Sequence, residues 1–170
     1  MKIFAVSVNL KQDYFEGAID KPMVQMMLVH YPPLIVEQRD KGFGIGAHTD
    51  YECFTLLSQD SCSGLEIKEP NGQWIPIPPV DGNFVINIGG MMARWTKGLF
   101  NAALHRVINN PEQDRFSVPF FFATNYDTKI KCIQTCYNEN NHPKYNTVFA
   151  GDYLQGRLES IYGKLATQRE

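Results

Sequence analysis

The chain has 170 residues, with 16 Lys and Arg against 18 Asp and Glu, and is long enough for one domain with a real hydrophobic core. Its net charge of −2 lacks the basic footprint of a nucleic-acid or membrane-surface binder, and no apolar run is long enough to span a bilayer. The start carries no signal-peptide pattern, and Cys53, Cys62, Cys132 and Cys136 form no CxxC pair, which argues against a zinc knuckle and for reduced thiols in a cytoplasmic protein.

Taken in order, residues 1–19 place Ile3, Phe4, Val8, Phe15 and Ile19 roughly on a helical period, so a helix is expected there, closed by Pro22. Residues 23–31 read as one strand that Pro32-Pro33 must end, with its methionines filling core and His30 a packed strand histidine. Residues 35–43 read as a polar loop carrying Glu37, Arg39, Asp40 and Lys41. Gly42, Gly44 and Gly46 lack the strand-then-helix context of a dinucleotide-binding turn, and are expected to let backbone fold close to the residues that follow.

Those residues are the centre of the sequence. Phe54-Thr55-Leu56-Leu57 reads as a buried strand, and just before it His48 and Asp50 stand two positions apart. In extended chain that spacing puts both side chains on one face, with Thr49 turned away. An imidazole and a carboxylate converging in this way form two corners of a metal site.

Downstream, Asn71-Gly72 between residues 65–68 and 74–77 signals a hairpin, and Asp81-Gly82 turns the chain into a strand at Phe84 to Ile88. Met91-Met92-Ala93-Arg94-Trp95 reads as the next short strand, with Trp95 a core residue, and Thr96-Lys97-Gly98 as the next turn. The strand-like run 102–108 offers His105 as a third ligand. Two His and one carboxylate leave open metal positions, which suits non-haem Fe(II) oxygenase chemistry. After the Asn109-Asn110-Pro111 turn, Arg115 and Ser117 share one face of a strand that continues through Val118-Pro119-Phe120-Phe121-Phe122, read as buried on both faces. A guanidinium fork with an adjacent hydroxyl suits a small carboxylic acid. Beyond Tyr126 the chain turns polar, His142 reads as a solvated loop residue, and residues 148–165 show helical spacing. Many short strands separated by Gly, Asn and Pro turns fit a jelly roll, with no repeat and no second domain.

The ordered set His48-Thr49-Asp50, Leu56-Leu57-Ser58-Gln59-Asp60, Gly64-Leu65-Glu66-Ile67, Phe84 to Gly89, His105-Arg106-Val107 and Arg115-Phe116-Ser117 resembles the Fe(II)/2-oxoglutarate dioxygenases of the isopenicillin N synthase-like family. That resemblance implies a mainly β fold, a double-stranded β-helix (jelly-roll) core with flanking N- and C-terminal helices. It implies a single domain over 1–170 with its core at about 23–126 and the family's N-terminal region absent. It further implies catalytic iron held by His48, Asp50 and His105, and 2-oxoglutarate held by Arg115 and Ser117, with Tyr31 at the position where many relatives present a phenol. Val29-His30 before it departs from the Asn-Tyr pair common in plant members. The implied reaction consumes dioxygen, releases succinate and CO2, and hydroxylates or desaturates a small molecule; neither nucleic acid nor membrane is an expected partner.

Three other readings stay open. An iron oxidase like isopenicillin N synthase would keep the same residues without using 2-oxoglutarate. A zinc hydrolase could use His48, Asp50 and His105 on an activated water, but would leave Arg115 and Ser117 unexplained. A catalytically silent jelly-roll module is the non-enzyme reading. With the family's N-terminal cover absent, apolar surface is expected to stay exposed and to drive homo-oligomer formation.

Overall fold

The structure is a computed structural model that describes residues 1–33, 43–110 and 112–167, so most of the loop expected at 35–43, including Glu37, Arg39, Asp40 and Lys41, lies outside the described residues. Eleven strands are described: β1 (Val24–Met26), β2 (Val29–Tyr31), β3 (Phe43–His48), β4 (Phe54–Gln59), β5 (Leu65–Lys68), β6 (Trp74–Pro76), β7 (Val85–Ile88), β8 (His105–Ile108), β9 (Arg115–Phe122), β10 (Lys129–Ile130) and β11 (Val148–Phe149). One antiparallel sheet runs β1-β9-β4-β7 with β2 also on β9, and a second runs β3-β8-β5-β6. These two sheets form the expected jelly roll. Gly72 and Gly82, both at positive φ, make the two turns that the Asn-Gly and Asp-Gly pairs signal.

The single strand expected over residues 23–31 is instead two short ones, and the cause lies in its partner. β1 and β2 share one register on β9, Met26 opposite Phe120 and Val29 opposite Ser117, so the break at Met27-Leu28 falls against Pro119 and Val118. The Met27 amide donates to the Pro119 carbonyl at 3.1 Å, but the proline has no N–H to return on that edge. The ladder therefore lapses there and resumes at Val29. The methionines do not fill core as expected: Met26 is 67 % exposed, Met27 is exposed as well, and only Met23 packs against the main cluster.

Two further expectations need correction. The N-terminal helix, α1, covers only Lys2–Ser7, followed by a 3-10 turn at Glu16–Ala18. Asn9 stops it in a left-handed conformation, with the Leu10 amide donating to the Ala5 carbonyl and the Asn9 amide to the Val6 carbonyl. This is a Schellman closure with Asn where Gly is usual. Met91 to Trp95, expected as a strand, belongs to helix α2 (Gly90–Trp95), whose Met91, Met92, Ala93 and Trp95 are buried. A short apolar run fits either element, and the first helical amides decide it: Gly90 donates to the Asp50 carbonyl and Met91 to the Tyr51 carbonyl.

The main apolar cluster gathers Phe15, Met91, Met92, Trp95, Ile130 and Ile133 between α1, α2 and the third helix, α3 (Ala150–Thr167), which begins two residues later than the spacing suggests because Val148 and Phe149 pair with β10. Trp95 is a core residue, as expected, with its ring 4.9 Å from Phe15. A smaller cluster of Tyr31, Leu65 and Val107 fills the space between the sheets. All four cysteines are free and buried.

The α2 junction generates a stability prediction. A Cβ at Gly89 would run into the Glu52 carbonyl, so Gly89→Ala must push backbone aside. The expected loss is about 1–3 kcal/mol, read as a lower midpoint of urea unfolding.

Candidate metal and carboxylate site

All six residues singled out from the sequence, Tyr31, His48, Asp50, His105, Arg115 and Ser117, line one cavity of about 150 Å³ between the two sheets. Strand pairing brings them there. His48 ends β3 and His105 begins β8, and the two are directly opposite, with ring centroids 4.3 Å apart. Asp50 follows two residues after His48. The Nε2 atoms of His48 and His105 each lie 3.7 Å from Asp50 Oδ1.

The hydrogen bonds around these groups aim one atom of each inward. His48 Nδ1 bonds the Gly46 carbonyl at 2.8 Å and His105 Nδ1 bonds the Ala103 carbonyl at 3.0 Å. A carbonyl only accepts, so each Nδ1 carries the proton and each Nε2 presents a lone pair. Asp50 Oδ2 accepts from the Thr55 hydroxyl and, at 2.6 Å, from Asn87 Nδ2, leaving Oδ1 facing the two imidazoles. Burial pushes His105 below the ordinary histidine range, against the opposing pull of its bond to Ala103 and of Asp50. Its neutral form, the one that binds metal, is thereby favoured. The three donor atoms lie within 4.8 Å of one another, and their N, N, O set fits ferrous iron.

At the other end of the cavity, Arg115 is fully buried. Its Nη2 donates to Gln59 Oε1 at 2.8 Å, while Nε and Nη1 have no partner among the described residues. Tyr31, directly opposite on β2, lays its ring 4.8 Å from the guanidinium carbon. Ser117 lines the same face two residues along, opposite Gln59 on β4. A buried cation with two unused donors is costly unless an anion meets it. Gly44 keeps the wall thin here, since a Cβ would strike Tyr31 and Asn109.

Sequence reasoning missed Thr55, Asn87 and Gln59. Each is a polar residue on the cavity-facing parity of its strand, with Leu57 between Thr55 and Gln59, which is the signal that could have found them. Thr55 and Asn87 are a cross-strand pair of β4 and β7, a relation invisible without the register. His30 lies away from the cavity, stacked on Phe116 with Asp114 Oδ1 at 2.5 Å, and is exposed rather than packed. His142 is exposed, as expected.

Beside the metal cluster the cavity adjoins a wider cleft of about 640 Å³ that reaches Glu52 and Leu158 of α3. Burial pushes the Glu52 carboxyl above the ordinary range, and the Asp50 charge adds to this against backbone hydrogen bonds that lower it.

The fold and cluster define a class: a jelly roll with two histidines and a carboxylate facing a buried arginine. The chain belongs to the 2OG-Fe(II) oxygenase superfamily, whose family profile matches residues 23–124. It is 34 % identical over 166 residues to the 2-oxoglutarate-Fe(II) type oxidoreductase hxnY of Emericella nidulans, covering 96 % of this chain and 48 % of that protein. It is 36 % identical over 167 residues to a homoarginine-6-hydroxylase of Glycine max, covering 93 % of this chain and 50 % of that protein. A crystal structure of a full-length Neurospora crassa protein in complex with alpha-KG superposes with a TM-score of 0.88 at 34 % identity, over 95 % of this chain and 52 % of that one. The chain spans about half the length of the curated relatives it matches. Among the described residues, no helix is long and apolar enough to cross a membrane.

Asn87 holds Asp50 without facing the three donor atoms, which makes it a clean test of ligand support. Asn87→Ala is expected to weaken Fe(II) binding by about 10–100-fold, measured by anaerobic titration, with the folded far-UV spectrum retained.

Proposed function

We propose that this chain is the catalytic region of an Fe(II)- and 2-oxoglutarate-dependent oxygenase that oxidises a small molecule with release of succinate and CO2. In this reading His48, Asp50 and His105 hold the iron, and Arg115, Ser117 and Tyr31 receive 2-oxoglutarate. The observation that carries it is Arg115: a fully buried guanidinium with two unused donors in the same cavity as three converging metal-ligand atoms. Its open edge would take the distal carboxylate in a charge-assisted pair, with the Ser117 hydroxyl adding a bond and the Tyr31 ring closing the face. Gln59 holds Nη2 of the guanidinium, leaving Nε and Nη1 as the donors without a partner among the described residues.

When bound, ferrous iron with 2-oxoglutarate supplies the dioxygen chemistry that couples loss of CO2 to oxidation of a substrate C–H bond. The chain supplies position. His48 and His105 keep their protons on Nδ1, and Asp50 keeps Oδ2 occupied by Thr55 and Asn87, so the ligands enter already oriented. Leu57, Leu65, Val107 and Pro119 give the cavity an apolar lining.

The test is anaerobic titration with Fe(II) and then 2-oxoglutarate, followed by a metabolite screen read as succinate. Alanine at His48, Asp50 or His105 is expected to abolish Fe(II) binding. Arg115→Lys keeps the charge and loses the fork, so 2-oxoglutarate affinity falls by about 1.5–3 kcal/mol with Fe(II) affinity retained. Unchanged affinities in these variants would assign the residues to structure instead. Succinate release separates this reading from an oxidase that uses no 2-oxoglutarate.

Self-association is part of the same proposal. Met26, Phe120, Leu56 and Ile86 stand opposite one another in one row across β1, β9, β4 and β7, on the face turned from the cavity. Met26 and Ile86 are 67 % and 61 % exposed. Two copies apposing this row would bury it. Sedimentation at micromolar concentration is expected to show a dimer or larger species, and Met26→Lys with Ile86→Lys to shift it to monomer.

A further inference from the structure

The cleft beside the metal cluster is apolar along most of its wall, with Met27, Ile45, Ala47, Phe121 and Leu158 contributing to it. It shares Met27, Ile45, His48, Asp50 and Phe121 with the deep cavity, so the two are continuous past the metal ligands. Apart from His48 and Asp50, Glu52 is the sole ionisable acid or base among the described residues that line it, tyrosine aside. Glu52 also lines the adjoining smaller pocket with Gln25, Ala123 and Leu154, which places it on the wall between the two spaces.

What Glu52 lacks is a cation. Its Oε2 accepts the Tyr51 amide at 3.1 Å, and no Lys, Arg or His among the described residues stands within ion-pair distance of it. The guanidinium of Arg157, next to the cleft residue Leu158 in the chain, rests over the Tyr51 and Tyr153 rings. The backbone that carries Glu52 is held firmly. Its carbonyl accepts from Met91 at 3.2 Å, the next carbonyl, Cys53, accepts from Gly89 at 3.1 Å, and Gly89 leaves no room for the segment to move inward. A half-buried carboxylate on a fixed backbone, in an apolar cleft two residues from the metal ligand Asp50, is a recognition group without its counterpart. A positively charged nitrogen on a mostly apolar body would complete it, with the charged end at Glu52 and the carbon chain running along Met27, Ile45 and Phe121 toward the ligands.

We propose that Glu52 is the specificity-determining residue for the oxidised substrate, and that this substrate carries an ammonium or guanidinium group on an aliphatic body. The inference rests on the 2-oxoglutarate oxygenase reading above. It would make Glu52 a substrate contact and not an iron or 2-oxoglutarate contact, so the three affinities separate.

The experiment titrates the chain, loaded anaerobically with Fe(II) and 2-oxoglutarate, with n-hexylguanidinium and with its neutral isostere n-hexylurea, by calorimetry. The wild type is expected to bind the guanidinium at least about tenfold more tightly than the urea, the lower end of what a charge-assisted hydrogen bond supplies. In Glu52→Gln that ratio falls to about one, and in Glu52→Asp, which keeps the charge, the preference returns. The 2-oxoglutarate affinity, measured first in each variant, reports whether the site has folded. Equal binding of the two probes by the wild type, no binding of either to the loaded chain, or a guanidinium preference that survives Glu52→Gln overturns the proposal while leaving the oxygenase reading in place. Failure to bind 2-oxoglutarate at all overturns the oxygenase reading, and this inference with it.

Discussion

The pairing of β3 with β8 sets His48 directly opposite His105, and every other feature of the site is arranged around that register. In a β ladder a slip of one residue sends a side chain to the opposite face. Here such a slip would turn one imidazole out of the cavity and separate two of the three donor atoms. The register is irregular upstream, shifting between Phe43, Ile45 and His48, so pairing along β3 alone does not pin it. The pin is on the other side: Asp50 is tied to Thr55 and Asn87 of the first sheet, and its backbone carbonyl takes the first amide of α2. The three donor atoms therefore stand at the seam between the two sheets, each sheet fixing what the other leaves loose.

The same logic arranges the Arg115 end of the cavity. Tyr31 and Arg115 oppose one another on β2 and β9, and Gln59 reaches the guanidinium from β4. β9 is central in its sheet, so Arg115 is held from both edges. A long flexible side chain is thereby reduced to one orientation before any ligand arrives, which is the condition under which an ion pair adds affinity instead of merely offsetting ordering entropy.

The legible part of this protein was what depends on spacing along the chain. The i, i+2 pairs His48/Asp50 and Arg115/Ser117 predict shared faces, and both pairs line the cavity. The Asn-Gly and Asp-Gly turns are where their chemistry puts them. What escaped depends on relations between distant segments. Thr55, Asn87 and Gln59 look like ordinary polar interruptions until the ladders place them beside Asp50 and Arg115. The helix at Gly90–Trp95 is decided by carbonyls some 40 residues earlier in the chain, and the strand break at Met27 by a proline on the partner strand. Asn9 ends α1 through a closure that the Gly-centred signal for helix ends does not flag. Met26 reads as core because methionine usually is, yet strand alternation puts it on the outer face.

The buried, half-satisfied guanidinium of Arg115 has a thermodynamic consequence for the whole chain. Folding without an anion leaves two buried donors of Arg115 without a protein partner, so the ligand-free protein carries a penalty that the liganded one does not. On the proposed reading, the co-substrate would then act as a component of the fold. At a hundred times its dissociation constant a ligand that binds only the folded state adds about 2.7 kcal/mol to stability, a large part of the margin that small domains possess. Under the reading proposed above, in which 2-oxoglutarate is that anion, the lifetime of the folded chain would track its supply, so that starvation removes the protein by unfolding as well as idling it.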